Sequence, residues 1–235
     1  MPPLPRAILF DMDDTILADS FNTEVCLRRV CERLAPGLGV PAAELRAAME
    51  AASDWYWSDR ERHRTGRLDL DRARLDVARL ALGRLRIENE GHAQELWRSL
   101  AEMKDEMIHP FPGALETLQH LRESRVALAL VTNGHARRQR AKIERFGLAP
   151  FFDCIVIESE LGVGKPDARV FHHVLTRLGV PAWEAWMVGD NLEWDVAGPM
   201  KVGITGIWLD TPGRGLPATS PIRPDRIVRA LPDLL

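Results

Sequence analysis

The sequence predicts an α/β protein in which a parallel sheet is flanked by helices and carries an all-helical insert. Short apolar runs at residues 7–10, 128–131 and 185–188 each end in a polar cluster, which is typical of buried strands. Beyond residue 111, helical and strand segments alternate, and this alternation indicates parallel strands joined by right-handed crossovers. The segment between the first two runs has only helical periodicity, so we predict a separate helical subdomain there.

Each element follows from local patterning. Apolar runs predict strands over residues 7–10, 126–131, 154–157, 185–188 and 205–209. Core helices are predicted between these strands, over residues 113–123, 135–146 and 170–178. Apolar residues near steps of three and four predict helices over residues 23–34, 69–85 and 91–107 of the insert. A proline at the first turn of a segment rich in alanine and glutamate predicts a fourth insert helix, over residues 41–57. We therefore predict an α/β core domain of residues 1–17 and 110–235, and a helical domain of residues 18–109.

Composition excludes several classes of protein. The chain has 235 residues, 46% of them hydrophobic, which is enough for one sizeable core and a smaller subdomain. Its net charge of −3 argues against binding to nucleic acid or to a membrane surface. Three cysteines fit a reducing compartment better than a disulfide framework. Without a basic leader or an apolar run of membrane-spanning length, we expect a cytoplasmic protein. Composition does not distinguish a monomer from a homodimer.

Three carboxylates, Asp11, Asp13 and Asp14, directly follow the first predicted strand. Ligands of open parallel sheets collect at the carboxyl ends of strands. Carboxylates clustered at such an edge repel one another and lose hydration, and a hard divalent cation such as Mg²⁺ would relieve both costs. The alternative is an acidic loop that caps the next helix.

The second strand ends in Thr132, Asn133 and Gly134, ahead of a predicted helix. A hydroxyl group and flexible backbone beside a helix N-terminus suit anion binding, because the amide groups and the helix dipole favour negative charge. Helix capping by Thr132 or Asn133 is the alternative interpretation.

Two further clusters follow. Lys165 stands between Gly164 and Pro166, a setting that presents it from a loop as a point charge suited to phosphate. Asp190 follows the fourth strand, so its side chain is predicted at the same sheet edge as Asp11. Asp195 can return to that edge through a turn. A solvated surface lysine and a helix-start acid remain the alternatives for Lys165 and Asp195.

In this order, the four clusters resemble the motifs of the haloacid dehalogenase superfamily, specifically its phosphatase branch. Asp11-Met12-Asp13-Asp14-Thr15 resembles the first motif, Thr132 the second, Lys165 before Pro166-Asp167 the third, and Gly189-Asp190 with Asp195 the fourth. The resemblance implies a Rossmann-like sheet and a helical cap inserted between the first and second motifs.

The resemblance also implies a reaction. Asp11 would be the nucleophile that forms an aspartyl-phosphate, and Asp13 the general acid that then serves as the base for water. Asp190, the Asp11 carboxylate and the Asp13 backbone carbonyl would hold Mg²⁺. The expected substrate is a small phosphomonoester, either a nucleoside monophosphate or a sugar- or glycolate-type phosphate.

The remaining site residues have supporting roles by the same resemblance. Thr132, Asn133, Gly134 and Lys165 would bind the phosphate group. Asp195 would orient Lys165 or a water molecule on the metal ion.

The reaction class has alternatives. A sugar phosphomutase, a 2-haloacid dehalogenase and a non-catalytic binding module can all be built on this fold. Dehalogenases of the family lack the second aspartate, whereas this chain has Asp13, so phosphate-ester hydrolysis is favoured.

Substrate choice is expected from the helical domain. The segment from Trp55 to Arg67 is rich in tryptophan and arginine, a combination that can contact a base, a sugar or an additional anionic group. Trp57 and Arg64 are our candidates for substrate specificity. The alternative is two core tryptophans followed by a solvated basic turn.

Overall fold

The computed structural model describes residues 4–235, so the first three residues of the predicted segment 1–17 lie outside the described part. The chain divides into two compact units. One comprises the residues up to Ala18 together with His109–Leu235, and the other comprises Asp19–Ile108. Each unit has its own apolar core.

The first unit is built on a parallel sheet of six strands. The strands are β1 (Ala7–Phe10), β2 (Ala127–Thr132), β3 (Cys154–Ile157), β4 (Ala185–Gly189), β5 (Thr205–Leu209) and β6 (Arg226–Val228). Their order in the sheet is β3-β2-β1-β4-β5-β6, and every pairing is parallel. The predicted α/β class is therefore confirmed. The three-residue strand β6 was not predicted, because its residues lack an apolar run.

The second unit is helical. Its helices are α1 (Thr23–Leu38), α2 (Ala42–Ser58), α3 (Arg60–Gly66), α4 (Leu70–Arg84) and α5 (Glu90–Glu106). Its core consists mainly of leucine, valine and alanine from the four longer helices. Helix α3 was not predicted, because its sequence has no apolar period. It begins instead at a side-chain cap, where the Asp59 carboxylate accepts a hydrogen bond from the Arg62 amide at 2.8 Å.

The helices of the first unit connect its strands. They are α6 (Ala114–Glu123), α7 (Ala136–Arg145), α8 (Glu158–Leu161), α9 (Ala168–Leu178) and α10 (Gly198–Met200). One face of the sheet packs against α9, whose Val170, Phe171 and Val174 are fully buried. Over the described residues, every helix is too short or too polar to cross a bilayer.

Candidate active site

Strand register brings the predicted clusters to one edge of the sheet. Phe10, the last residue of β1, pairs with Leu130 on one side and with Val188 on the other. Strand β2 continues beyond this register to Thr132, its last residue, and β4 continues to Gly189. Asp11, Thr132 and Asp190 therefore lie at the carboxyl ends of three neighbouring strands, as the parallel arrangement requires.

A buried chain of ion pairs occupies this edge. The Lys165 Nζ atom donates to Asp11 Oδ1 at 2.7 Å and to Asp195 Oδ1 at 2.6 Å. The side chains of Lys165 and Asp195 are each only 1% exposed, and that of Asp11 is 12% exposed. Burial opposes the charge on Lys165, yet the two carboxylates together raise its pKa above the ordinary value. Lys165 is thus held as a cation against Asp11.

The carboxylates of this cluster outnumber its cation. One carboxylate oxygen from each of Asp11, Asp190 and Asp195 lies within 4.8 Å of the others. Burial raises the pKa of Asp11 despite the attraction of Lys165. Burial also raises the pKa of Asp190, and the neighbouring carboxylates raise it further. Three carboxylates and one ammonium leave two negative charges to be balanced. A divalent cation that prefers oxygen ligands fits this donor set.

Asp195 reaches the cluster through an unusual turn. Residues Leu192–Ala197 form a π-helical turn. The Asn191 side chain caps the start of this turn, because its oxygen accepts hydrogen bonds from the amides of Glu193 and Trp194, each at 3.0 Å. The Asp195 carboxylate packs directly over Gly189. A Cβ atom on residue 189 would lie only 2.4 Å from that carboxylate. The glycine at position 189 is therefore required by this close approach.

The loop that carries Lys165 is held by the neighbouring Thr132-Asn133-Gly134 cluster. The Asn133 side chain accepts from the Lys165 amide at 2.8 Å and donates to the Lys165 carbonyl at 2.8 Å. The Gly134 amide donates to the buried Glu158 carboxylate at 2.9 Å. The Asn133 side chain and the Gly134 amide, both predicted to bind phosphate, thus make contacts within the protein that fix the loops around Lys165.

Asp13 and Thr132 share a contact that the sequence analysis missed. The Gln139 side chain on α7 donates to Asp13 Oδ2 at 2.8 Å and to Thr132 Oγ1 at 2.7 Å. The other Asp13 oxygen, Oδ1, pairs with the Lys142 ammonium group. Both α7 residues share a helical face with Ile143, so their position on the buried face could have been found from the helical period.

Another missed contact supports Asp190. The indole of Trp208, at the end of β5, donates to the Asp190 backbone carbonyl at 2.7 Å. The apolar run of β5 predicts a buried strand but gives no sign of this polar contact.

Trp57 and Arg64 lie in the helical unit. Trp57 is partly buried and packs edge-on against Tyr56 and His63, with ring centroids 4.9 and 5.5 Å away. Arg64 is exposed and pairs with Glu61 at 2.6 Å. Trp55 is 50% exposed, so it is not a core residue, and the Arg62 guanidinium stacks 3.8 Å over its ring. The role of this segment in substrate choice stays a prediction.

Comparison with known proteins identifies relatives of the whole chain. Residues 5–203 match the family model of haloacid dehalogenase-like hydrolases. The phosphoserine phosphatase of Thermus thermophilus is 34% identical over 92% of both chains. The glyceraldehyde 3-phosphate phosphatase of Methanopyrus kandleri is 31% identical over 86% of this chain and 82% of its own. The magnesium-bound structure of the HAD-hydrolase YfnB from Bacillus subtilis shares the fold, with a TM-score of 0.73, 24% identity and coverage of 99% and 97%.

Proposed function

This chain belongs to the haloacid dehalogenase-like hydrolases, and we propose that it hydrolyses a small phosphomonoester through an aspartyl-phosphate on Asp11. Its named relatives are phosphatases, which hydrolyse phosphoric monoesters. The observation that carries this proposal is the buried Asp11–Lys165–Asp195 ion-pair chain beside Asp190 at the carboxyl edge of the sheet. A carboxylate in such a setting can approach a dianionic ester only if positive charge lies next to it.

The first half-reaction uses Asp11 and Asp13. The Asp11 carboxylate attacks phosphorus, the ester P–O bond breaks, and the leaving alkoxide takes a proton from Asp13. Lys165, which contacts Asp11 at 2.7 Å, offsets part of the repulsion between nucleophile and phosphate. In the second half-reaction, Asp13 takes a proton from water as the water attacks the aspartyl-phosphate, and inorganic phosphate leaves.

Mg²⁺ is the cofactor that we propose for this site. Asp11, Asp190 and the Asp13 backbone carbonyl would hold it, since buried oxygen ligands with excess negative charge suit a hard cation. When bound, the ion supplies positive charge to the phosphoryl group. Asp195 is engaged by Lys165, so we assign it to the orientation of that lysine.

Phosphate contacts are assigned to Thr132 and Lys165. The Thr132 hydroxyl accepts from Gln139 and donates to the Asn133 carbonyl at 3.4 Å. This donated contact is long, so we propose that the hydroxyl hydrogen turns to an anion when one is bound. Asn133 and Gly134 are proposed to support the phosphate site mainly through the hydrogen bonds that brace the Lys165 loop.

The substrate class is proposed from chemistry and relatives together. The relatives from T. thermophilus and M. kandleri are named for phosphoserine and glyceraldehyde 3-phosphate, which are both three-carbon monophosphates. We propose a small soluble phosphomonoester, with nucleoside, sugar and glycolate-type phosphates as candidates beside the three-carbon phosphates. The helical domain, residues 18–109, is proposed to select among them, and residues 1–17 with 110–235 to carry the chemistry.

A substrate panel with metal control tests the proposal. Purified protein is stripped with a chelator and assayed for phosphate release from three-carbon, sugar, nucleoside and aryl phosphates, with and without added Mg²⁺. We expect release only with the metal ion. Full activity of rigorously metal-free protein contradicts the Mg²⁺ assignment. Release of halide from a 2-haloacid, or isomerisation of a sugar phosphate without phosphate release, would instead support the dehalogenase or phosphomutase alternatives. A protein that binds esters without turnover would be a binding module.

A further inference from the structure

Helix α7 carries two buried polar side chains that the four motifs do not account for. Gln139 is 3% exposed and Lys142 is 4% exposed. They are three residues apart, so they project from the same face of the helix. Burying a long amide and an ammonium group is costly unless each is paired, and such side chains are rarely retained without a partner.

The partners of Gln139 define its orientation. Its Nε2 atom lies 2.8 Å from Asp13 Oδ2, 2.7 Å from Thr132 Oγ1 and 3.0 Å from the Asn133 carbonyl oxygen, so its two hydrogens are shared among three acceptors. A backbone carbonyl can only accept a hydrogen bond, so the amide nitrogen must face this cluster. Gln139 therefore links the proposed general acid to the proposed phosphate-binding residue.

Lys142 completes the contacts of the Asp13 carboxyl group. Its ammonium group pairs with Asp13 Oδ1, while Gln139 holds Oδ2, so α7 contacts both oxygens. The Asp13 side chain remains 28% exposed, so it is still accessible to a ligand. A carboxyl group held at both oxygens has a defined orientation.

We propose that Gln139 and Lys142 are positioning residues that hold Asp13 in the orientation needed for proton transfer. The inference rests on the proposed function, because it presupposes that Asp13 protonates a leaving alkoxide. Neither α7 residue exchanges a proton in this scheme. Asp13 gives its proton to the leaving oxygen and regains one from water, and the two side chains keep its carboxyl group in place. Misplacement of a catalytic group by about 1 Å can cost about 10²-fold in rate.

The test compares Lys142→Met and Gln139→Met with wild type on two kinds of ester. The substrates are the best alkyl ester of the panel, whose leaving group needs protonation, and p-nitrophenyl phosphate, whose leaving group does not. The readout is kcat/KM, which covers the steps up to loss of the leaving group. Arg140→Met is the matched control, because Arg140 lies on the exposed face of α7 and pairs with Glu160.

We expect Lys142→Met to lose about tenfold or more on the alkyl ester relative to the aryl ester, as a share of the 10²–10⁴-fold that general acid catalysis contributes. Gln139→Met should change the ratio in the same direction, and Arg140→Met should leave it unchanged. Introducing Lys142→Met into an Asp13→Asn background should cause no further loss on the alkyl ester, because the group that Lys142 positions is already gone.

Equal losses on both esters, or losses that multiply in the double variant, would mean that Lys142 serves the fold alone and would overturn the inference. If Lys142→Met does not fold, as judged by circular dichroism, the Gln139→Met ratio decides. A wild-type protein that releases no phosphate from any ester would refute the proposed function itself. An active wild type whose Lys142→Met variant keeps the wild-type ratio of alkyl to aryl kcat/KM would refute only the role of Lys142.

Discussion

Replacing Lys165 with methionine tests the electrostatic description of the site. The substitution keeps the length of the side chain and removes its charge. Lys165 is 1% exposed and makes two hydrogen-bonded ion pairs, with Asp11 and Asp195. After the change, buried carboxylates remain with no cation against them, apart from any metal ion.

The expected loss can be worked from these contacts. Removing one partner of a buried ion pair costs about 3–5 kcal/mol. Protonation of a carboxyl group relieves part of this cost, and the pKa of Asp11 is already raised by burial. We therefore expect a loss of about 3 kcal/mol in the free energy of unfolding of the metal-free protein near neutral pH. For a chain of this size, this corresponds to a fall in Tm of about 6–12 °C.

The sign of the pH dependence follows from linkage. A carboxyl group whose pKa is higher in the folded than in the unfolded state binds more protons when folded, so its contribution to stability falls as pH rises. Removing Lys165 takes away an interaction that lowers the pKa of Asp11. The destabilisation by Lys165→Met should therefore be larger at pH 8.5 than at pH 5.5.

The assay is thermal unfolding by circular dichroism, in chelator at both pH values and again with Mg²⁺. Lys201→Met is the matched control, because Lys201 is exposed and the same atoms are removed. We expect the control to stay close to wild type throughout, and added Mg²⁺ to recover part of the loss in Lys165→Met. A Lys165→Met protein that matches the control, or one that is less destabilised at pH 8.5, would refute this reasoning.

Three further predictions concern single residues. Asp11→Asn should abolish phosphate release while circular dichroism and Tm show a folded protein, because the nucleophile is lost at nearly constant volume; retained turnover would move the chemistry to another residue. Asn133→Ala removes two hydrogen bonds to the Lys165 backbone and should cost about 2 kcal/mol in the free energy of unfolding by urea. Asn133→Asp keeps the acceptor but places a carboxylate oxygen against the Lys165 carbonyl, so it should cost at least as much, and a smaller loss than for Asn133→Ala would argue against this. Trp57→Ala and Arg64→Ala should change the ranking of phosphate esters but not the rate with acetyl phosphate, and an unchanged ranking would exclude this segment from specificity.

The sequence alone determined the fold class and the edge of the sheet at which the chemistry is proposed. Five of the six strands and the longer helices follow from apolar runs and from helical periodicity, which reflect burial of one face of each element. Because parallel strands end at one edge, Asp11, Thr132 and Asp190 could be placed together without coordinates. The chemistry predicted for that edge depended on residue types, which the sequence states directly.

Only the tertiary structure decided which side chains contact one another. Lys165 bridges Asp11 and Asp195 because a π-helical turn carries Asp195 back over Gly189, and sequence spacing does not specify that turn. Helical periodicity places Gln139 and Lys142 on the same face as the apolar Ile143, but only the structure shows that their buried partner is Asp13. Local patterning reports the average burial of a face. The burial of a particular polar group depends on a partner that is distant in sequence, and folding alone brings the two together.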